Sequence, residues 1–306
     1  MGAVTIALGT MAAITGVGWL LGRSGALGPG ARPVLASTCF MVATPALLFV
    51  TVAHEDLHLL LSRSAVVTAA STTAVALIAV VVLAVVWRRP APDVVIGTLA
   101  SSYVNAGNLG LPLAVYLLGD AVAVVPPLLF QLLVIAPIAF TVLDAHLTTA
   151  RAGLRGTVVR TVRNPIIVAS LTGVLLAALP WKLPGVVFGP FAVIGAAAAP
   201  LALLTFGMSI AVPRSEGETP RPRELALVAV LRTLVSPSLA LLLGHALGLD
   251  RHALLAVVAM AALPTAQNVL VYATQYGRGQ ALARDAGVVT TALAVPALLV
   301  IAATLR

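Results

Sequence analysis

Charge is scarce in this sequence. Asp, Glu, Lys and Arg make up 9% of its 306 residues against 60% hydrophobic ones, far too little polar surface to coat one or two soluble domains of that length. Cysteine is scarcer still: Cys39 stands alone inside an apolar run, which excludes an intramolecular disulfide and a thiolate metal cluster. Lysine occurs once, at Lys182, beside seventeen arginines. The net charge of +8 would point to nucleic acid in a soluble protein. Here the arginines sit singly or in small groups between apolar runs, the footprint of membrane topology, and no nucleic-acid partner is expected. No basic residue precedes Arg23, so the first apolar run reads as a retained span and not as a signal peptide.

What remains is hydrophobic length. A hydrocarbon core about 30 Å thick takes roughly 20 residues per helix, and breaks at Gly, Pro and charge divide the chain into ten segments. They run at about 3–21, 33–53, 62–87, 94–118, 123–146, 164–180, 185–212, 224–248, 252–276 and 285–304. Thirteen basic residues fall in the odd connections and three in the even ones, Arg63, Lys182 and Arg251. The positive-inside rule then puts the odd connections in the cytoplasm and both termini outside it. The reading is an all-α, multi-pass protein of the cell (inner) membrane, surrounded by lipid.

Ten spans with both ends on one side divide into a first repeat over 1–150, a cytoplasmic linker over 151–163 and a second repeat over 164–306. An odd number of spans per half makes the second half enter in the opposite sense, an inverted repeat. Pro45-Ala46-Leu47-Leu48-Phe49 in span two is echoed by Pro200-Leu201-Ala202-Leu203-Leu204 in span seven. Spans four and nine share Asn and Tyr eight apart, Asn108 with Tyr116 and Asn268 with Tyr276.

Span four carries Ser101-Ser102-Tyr103-Val104-Asn105-Ala106-Gly107-Asn108-Leu109-Gly110-Leu111-Pro112, a cluster that a continuous membrane helix does not accommodate. Pro112 lacks an amide hydrogen and the glycines cheapen irregular dihedrals, so a break is expected near Asn108 with a new half-helix opening at Leu111 or Pro112. Span nine offers Leu263-Pro264-Thr265-Ala266-Gln267-Asn268, with Pro264 expected to open its second half. Irregular backbone survives at membrane depth only where protein buries it or a cavity solvates it. Two half-helix N-termini and the amides of Asn108, Gln267 and Asn268 near the midplane would suit a carboxylate. The bland alternative is a pair of kinked, packed helices whose Asn side chains bridge neighbours.

These residues carry a resemblance. Asn105-Ala106-Gly107-Asn108-Leu109-Gly110-Leu111-Pro112-Leu113, Pro45-Ala46-Leu47-Leu48-Phe49, Asn164-Pro165, the run from Pro200 to Ser209, and Pro264 with Asn268 resemble the auxin efflux carrier family over nearly the whole chain. The resemblance implies a five-plus-five inverted repeat with broken helices four and nine crossing, and a scaffold of spans one, two, six and seven. It also implies a homodimer and alternating-access carriage of auxin-like, mono- or dicarboxylate anions. The linker of about fifteen residues departs from the long regulatory loop of plant members. The Arg bias amid Ala and Val fits a high-GC bacterial source. Bile-acid:sodium symporters share this architecture, so a sodium-coupled anion symporter is the alternative within transport.

The expected substrate-binding set is Asn105, Asn108, Pro112, Gln131, Pro264, Thr265, Gln267 and Asn268, with no cofactor and no metal. Arg232, well inside span eight, is either a snorkelling side chain or a fixed charge for the anion. Asp144 and His146 at the end of span five are either interfacial residues or a protonatable coupling pair. An alternative of another class is a zinc-dependent membrane protease through His54-Glu55-Asp56-Leu57-His58, which matches H-E-x-x-H but lies in a predicted connection and lacks an identified third ligand.

Overall fold

The computed structural model describes residues 2–28, 30–54, 62–110, 113–114, 118, 121–147, 163–179, 184–211 and 222–305. Its helices are α1 Gly2–Ser24, α2 Ala31–His54, α3 Arg63–Val86, α4 Ala91–Ser102, α5 Val125–His146, α6 Pro165–Ala178, α7 Gly185–Ala211, α8 Pro222–Ala246, α9 Arg251–Ala261, α10 Asn268–Tyr276 and α11 Gln280–Leu305. Among the described residues, helices α2, α3, α5, α7, α8 and α11 are long and apolar enough to cross a membrane, and extended pairing is confined to one isolated bridge. This is an all-α, multi-pass architecture. Of the linker expected over 151–163, only Arg163 is among the described residues.

Prolines shape the long helices from within. Wide, π-type turns occupy Cys39–Ala43 in α2, Gln131–Ile135 in α5 and Leu231–Val235 in α8. Each ends two residues before a proline: Pro45, Pro137 and Pro237. A proline cannot donate to the carbonyl four residues back and its ring crowds that carbonyl. Widening the preceding turn relieves the clash without ending the helix. A fourth wide turn, Val81–Val86, ends α3 without such a proline, and nothing in the structure explains it.

Two seams of glycine bring backbones together in one group of helices. A Cβ on Gly207 of α7 would lie 2.0 Å from Thr15 O of α1, and one on Gly18 would lie 2.3 Å from Leu204 O. Gly18 and Gly22 are four apart, the spacing that lets two membrane helices meet along one face. On the other seam, a Cβ on Gly173 of α6 would lie 2.9 Å from Val52 Cβ and one on Gly195 of α7 would lie 2.7 Å from the Leu47 backbone of α2. Lipid competes equally for apolar side chains, so such close packing is what holds α1, α2, α6 and α7 together. Elsewhere larger side chains fill the contacts: Val75, Ala79, Leu83, Val94 and Leu231 join α3, α4 and α8, and Val67, Ala240, Leu254 and Val258 join α3, α8 and α9.

Gly207→Ala should destabilise the folded protein by about 1–3 kcal/mol, since backbone and not a flexible side chain must yield. Gly16→Ala is the control, because a Cβ there meets nothing within 4 Å. Thermal unfolding of both variants in detergent should show a lowered midpoint for the first alone.

Candidate functional site at the helix crossing

The two interruptions meet. After α4 ends at Ser102 the chain runs extended through Tyr103, Val104 and Asn105, and after α9 it runs through Leu263 to Ala266 before α10 begins at Asn268. Val104 and Thr265 form an antiparallel bridge, flanked by Asn105 N donating to Pro264 O at 2.9 Å and Ala266 N donating to Tyr103 O at 3.1 Å. In such a pair the central residues turn their own amides away from each other. Both are met by side chains of neighbouring helices: Val104 N donates to Gln131 Oε1 of α5, and Thr265 N to Thr290 Oγ1 of α11 at 3.0 Å. The end of α4 is closed locally, Ser101 and Ser102 donating to Gly97 O and Thr98 O at 2.8 and 2.7 Å. Thr265 Oγ1 adds a bond to Ala100 O at 2.7 Å.

The first interruption therefore lies upstream of the expected position. Asn105 sits in the extended stretch, while Asn108 lies in the helical turn Ala106–Gly110 that follows it. The cause is pairing: Asn105 N reaches Pro264 O only if residues 103–105 are extended opposite 264–266. Pro264 likewise does not open a half-helix. It contributes only its carbonyl to the ladder, where its missing amide hydrogen costs nothing, and α10 starts at Asn268.

One side of the crossing faces a cavity of about 350 Å³, at the small end of the roughly 300–1,000 Å³ typical of small-molecule sites. Tyr103 to Gly107, Ala266 and Asn268 form one wall, Gln131 with Leu128 and Leu132 of α5 a second, and Thr44, Leu47, Leu48 and Thr51 of α2 with Gly195, Ala196, Ala198 and Ala199 of α7 a third. None of these described lining residues is charged. Asn105 lines the cavity and is buried, and its Nδ2 has no hydrogen-bond partner, which leaves one amide donor unsatisfied behind the cavity wall. Gln131 has its oxygen committed to Val104, which leaves its NH₂ to donate. A Cβ on Gly107 would meet nothing within 4 Å, so backbone is bare there.

Of the residues singled out from sequence, Asn105, Gln131 and Asn268 come together on this cavity. Pro264, Thr265 and Gln267 are buried in the crossing without lining it. The side chain of Asn108 and all of Pro112 lie outside the described residues. Arg232 is 2% exposed and turns inward, bonding Ser236 Oγ at 2.7 Å and Ala261 O at 2.8 Å; the snorkelling alternative is not the one adopted. Asp144 and His146 do not pair. His146 is exposed, whereas buried Asp144 accepts from Tyr276 Oη of α10 at 3.1 Å and from Asn164 Nδ2 at 3.3 Å, the latter residue capping α6. His54 ends α2 with Nδ1 2.7 Å from Val50 O; Glu55, Asp56, Leu57 and His58 lie outside the described residues. Thr44 and Thr51 were not singled out, although both fall on the face of span two marked by Leu47 and Leu48, a pattern that reads as ordinary packing.

Residues 3–144 and 146–302 match the family described as membrane transport protein. The chain belongs to this family. It is the auxin efflux carrier family to which the span-four motif points. A relative named "Putative malonate transporter", from Rhizobium meliloti (strain 1021), is 29% identical over 265 residues, 83% of this chain and 81% of its own. Together with the apolar helices, the family makes this a multi-pass membrane transport protein.

Gln131→Leu should lower stability by about 1–3 kcal/mol, because it strands the buried Val104 amide without an acceptor. Gln131→Glu keeps an acceptor there and should recover most of the loss in the same melting assay.

Proposed function

We propose that this protein is a secondary transporter of small organic carboxylates, held at the crossing of two broken helices and carried by alternating access. The observation that carries the reading is the convergence of Asn105, Gln131 and Asn268 on a small cavity walled on one side by the crossing and on the other by α2 and α7. Asn268 opens α10, so that helix presents its partial positive end beside the amides. A carboxylate there exchanges water for charge-assisted hydrogen bonds from neutral donors. The relative's printed name makes malonate the first compound to test.

The cavity also lies at the seam along which one group of helices can slide past the other. On this reading α1, α2, α6 and α7 form the scaffold, the crossing bundle moves as an elevator, and the carrier is a homodimer in the cell membrane. A five-plus-five inverted repeat over 1–150 and 164–306 is supported by the crossing's local symmetry. Gln131 follows Val104 by 27 residues and Thr290 follows Thr265 by 25, and each accepts from the outward amide of the bridge residue it follows.

Asn105→Ala and Asn268→Ala should each weaken malonate binding about tenfold to a hundredfold, the 1.5–3 kcal/mol of a hydrogen bond to a charged group, at unchanged melting temperature. Gly107→Val should abolish uptake into proteoliposomes while the protein still folds, since its side chain projects into open cavity. Wild-type binding in both Asn variants together with wild-type uptake by Gly107→Val would defeat this site.

Orientation is tested separately. In a Cys39→Ala background, cysteine at Leu57 should react with an impermeant thiol reagent added outside cells, and cysteine at Gly217 should not. The reverse pattern would invert the topology.

A further inference from the structure

Arg232 lies in the wide turn Leu231–Val235 of α8, and its guanidinium is directed at the end of α9 on which the crossing begins. Nη2 donates to Ala261 O at 2.8 Å and to Ser236 Oγ at 2.7 Å, and Ser236 Oγ also lies 3.0 Å from Ala261 O. Nε and Nη1 are buried without a hydrogen-bond partner. Among the described residues no carboxylate faces this cation.

A guanidinium away from water is costly unless negative charge compensates it. The end of α9 that it bonds supplies such charge, since a helix's C-terminal carbonyls carry roughly half a negative charge. The two half-helices entering the crossing are closed in different ways. The end of α4 takes hydroxyls from its own serines and from Thr265, whereas the end of α9 takes a full cation from a neighbouring helix. In carriers built on broken helices, such C-terminal ends commonly hold the coupling cation.

We propose that Arg232 is the built-in cation of the crossing: it fixes the carbonyl end of α9 with a tethered positive charge, so that the carrier needs no bound metal cation to order its substrate site. Arg232 is a positioning residue, acting through the α9 end and the Val104–Thr265 bridge on Asn105 and Asn268, and it does not touch the anion. The proposal rests on the carboxylate-carrier reading only for its consequence in transport.

The test uses the purified full chain and two readouts, melting temperature without carboxylate and malonate binding in sodium, potassium or choline buffer. Wild type should melt and bind alike in all three. Arg232→Ala should melt lower and bind roughly tenfold or more weakly. Millimolar guanidinium or sodium should restore part of its melting temperature by mass action, with no such effect on wild type. Arg232→Lys, which keeps the charge, should stay near wild type and decides the question if the Ala variant does not fold. The proposal is overturned if wild type requires sodium, if Arg232→Lys falls like Ala, or if a folded Arg232→Ala binds normally or gains nothing from any cation. Should wild type bind no carboxylate at all, the anion reading fails, while the melting data still decide the role of Arg232.

Discussion

A backbone amide buried in a membrane protein has no water to fall back on, and the organisation of this molecule follows from how the interrupted helices meet that demand. Breaking a helix at membrane depth frees amides and carbonyls that cost several kcal/mol each if left alone. Here the two breaks satisfy one another through Tyr103, Asn105, Pro264 and Ala266. The two central amides are passed outward to Gln131 and Thr290. Those bonds tie α5 and α11 to the crossing and set the orientation of Gln131 at the cavity. Taken one by one these are four hydrogen bonds; physically they are one constraint, because loss of the pairing would strand amides on both segments.

The prolines serve the same end by a different route. By opening the turns at Gln131–Ile135 and Leu231–Val235, Pro137 and Pro237 turn residues that would otherwise follow a regular 3.6-residue face. Gln131 and Arg232 lie in those turns and both are buried, one on the Val104 amide and the other on the Ala261 carbonyl. Neither could be left with an apolar neighbour alone. Their placement converts two helix defects into two supports for the crossing, one neutral and one charged.

Around this centre the packing is of two kinds. Glycine seams join α1 to α7 and α2 to α6 and α7 at backbone contact, which gives those helices little freedom to shift. The cavity wall contributed by α2 and α7 is made of Thr, Leu, Gly and Ala, without a charge or an ion pair to lock it to Asn105 and Asn268. The seam is neutral on that side, and the side-chain amides that line the cavity, those of Asn105, Gln131 and Asn268, lie on the other.

Composition by itself determined the class: with so few charges among so many apolar residues, only lipid can be the solvent of most of this surface. The Gly, Pro and Asn clusters determined that spans four and nine break, since dihedral freedom and a missing amide hydrogen are local properties. Asn105, Gln131 and Asn268 could be named from sequence because a polar amide in an apolar run has few uses. Where each break falls was decided only in three dimensions, by which residue of one segment could reach a carbonyl of the other; that is why residues 103–105 are extended while Asn108 is helical. The inward turn of Arg232 was equally a tertiary outcome. A cation at that depth can reach water or a helix end, and only the position of α9, fixed by contacts far away in the chain, selected between them.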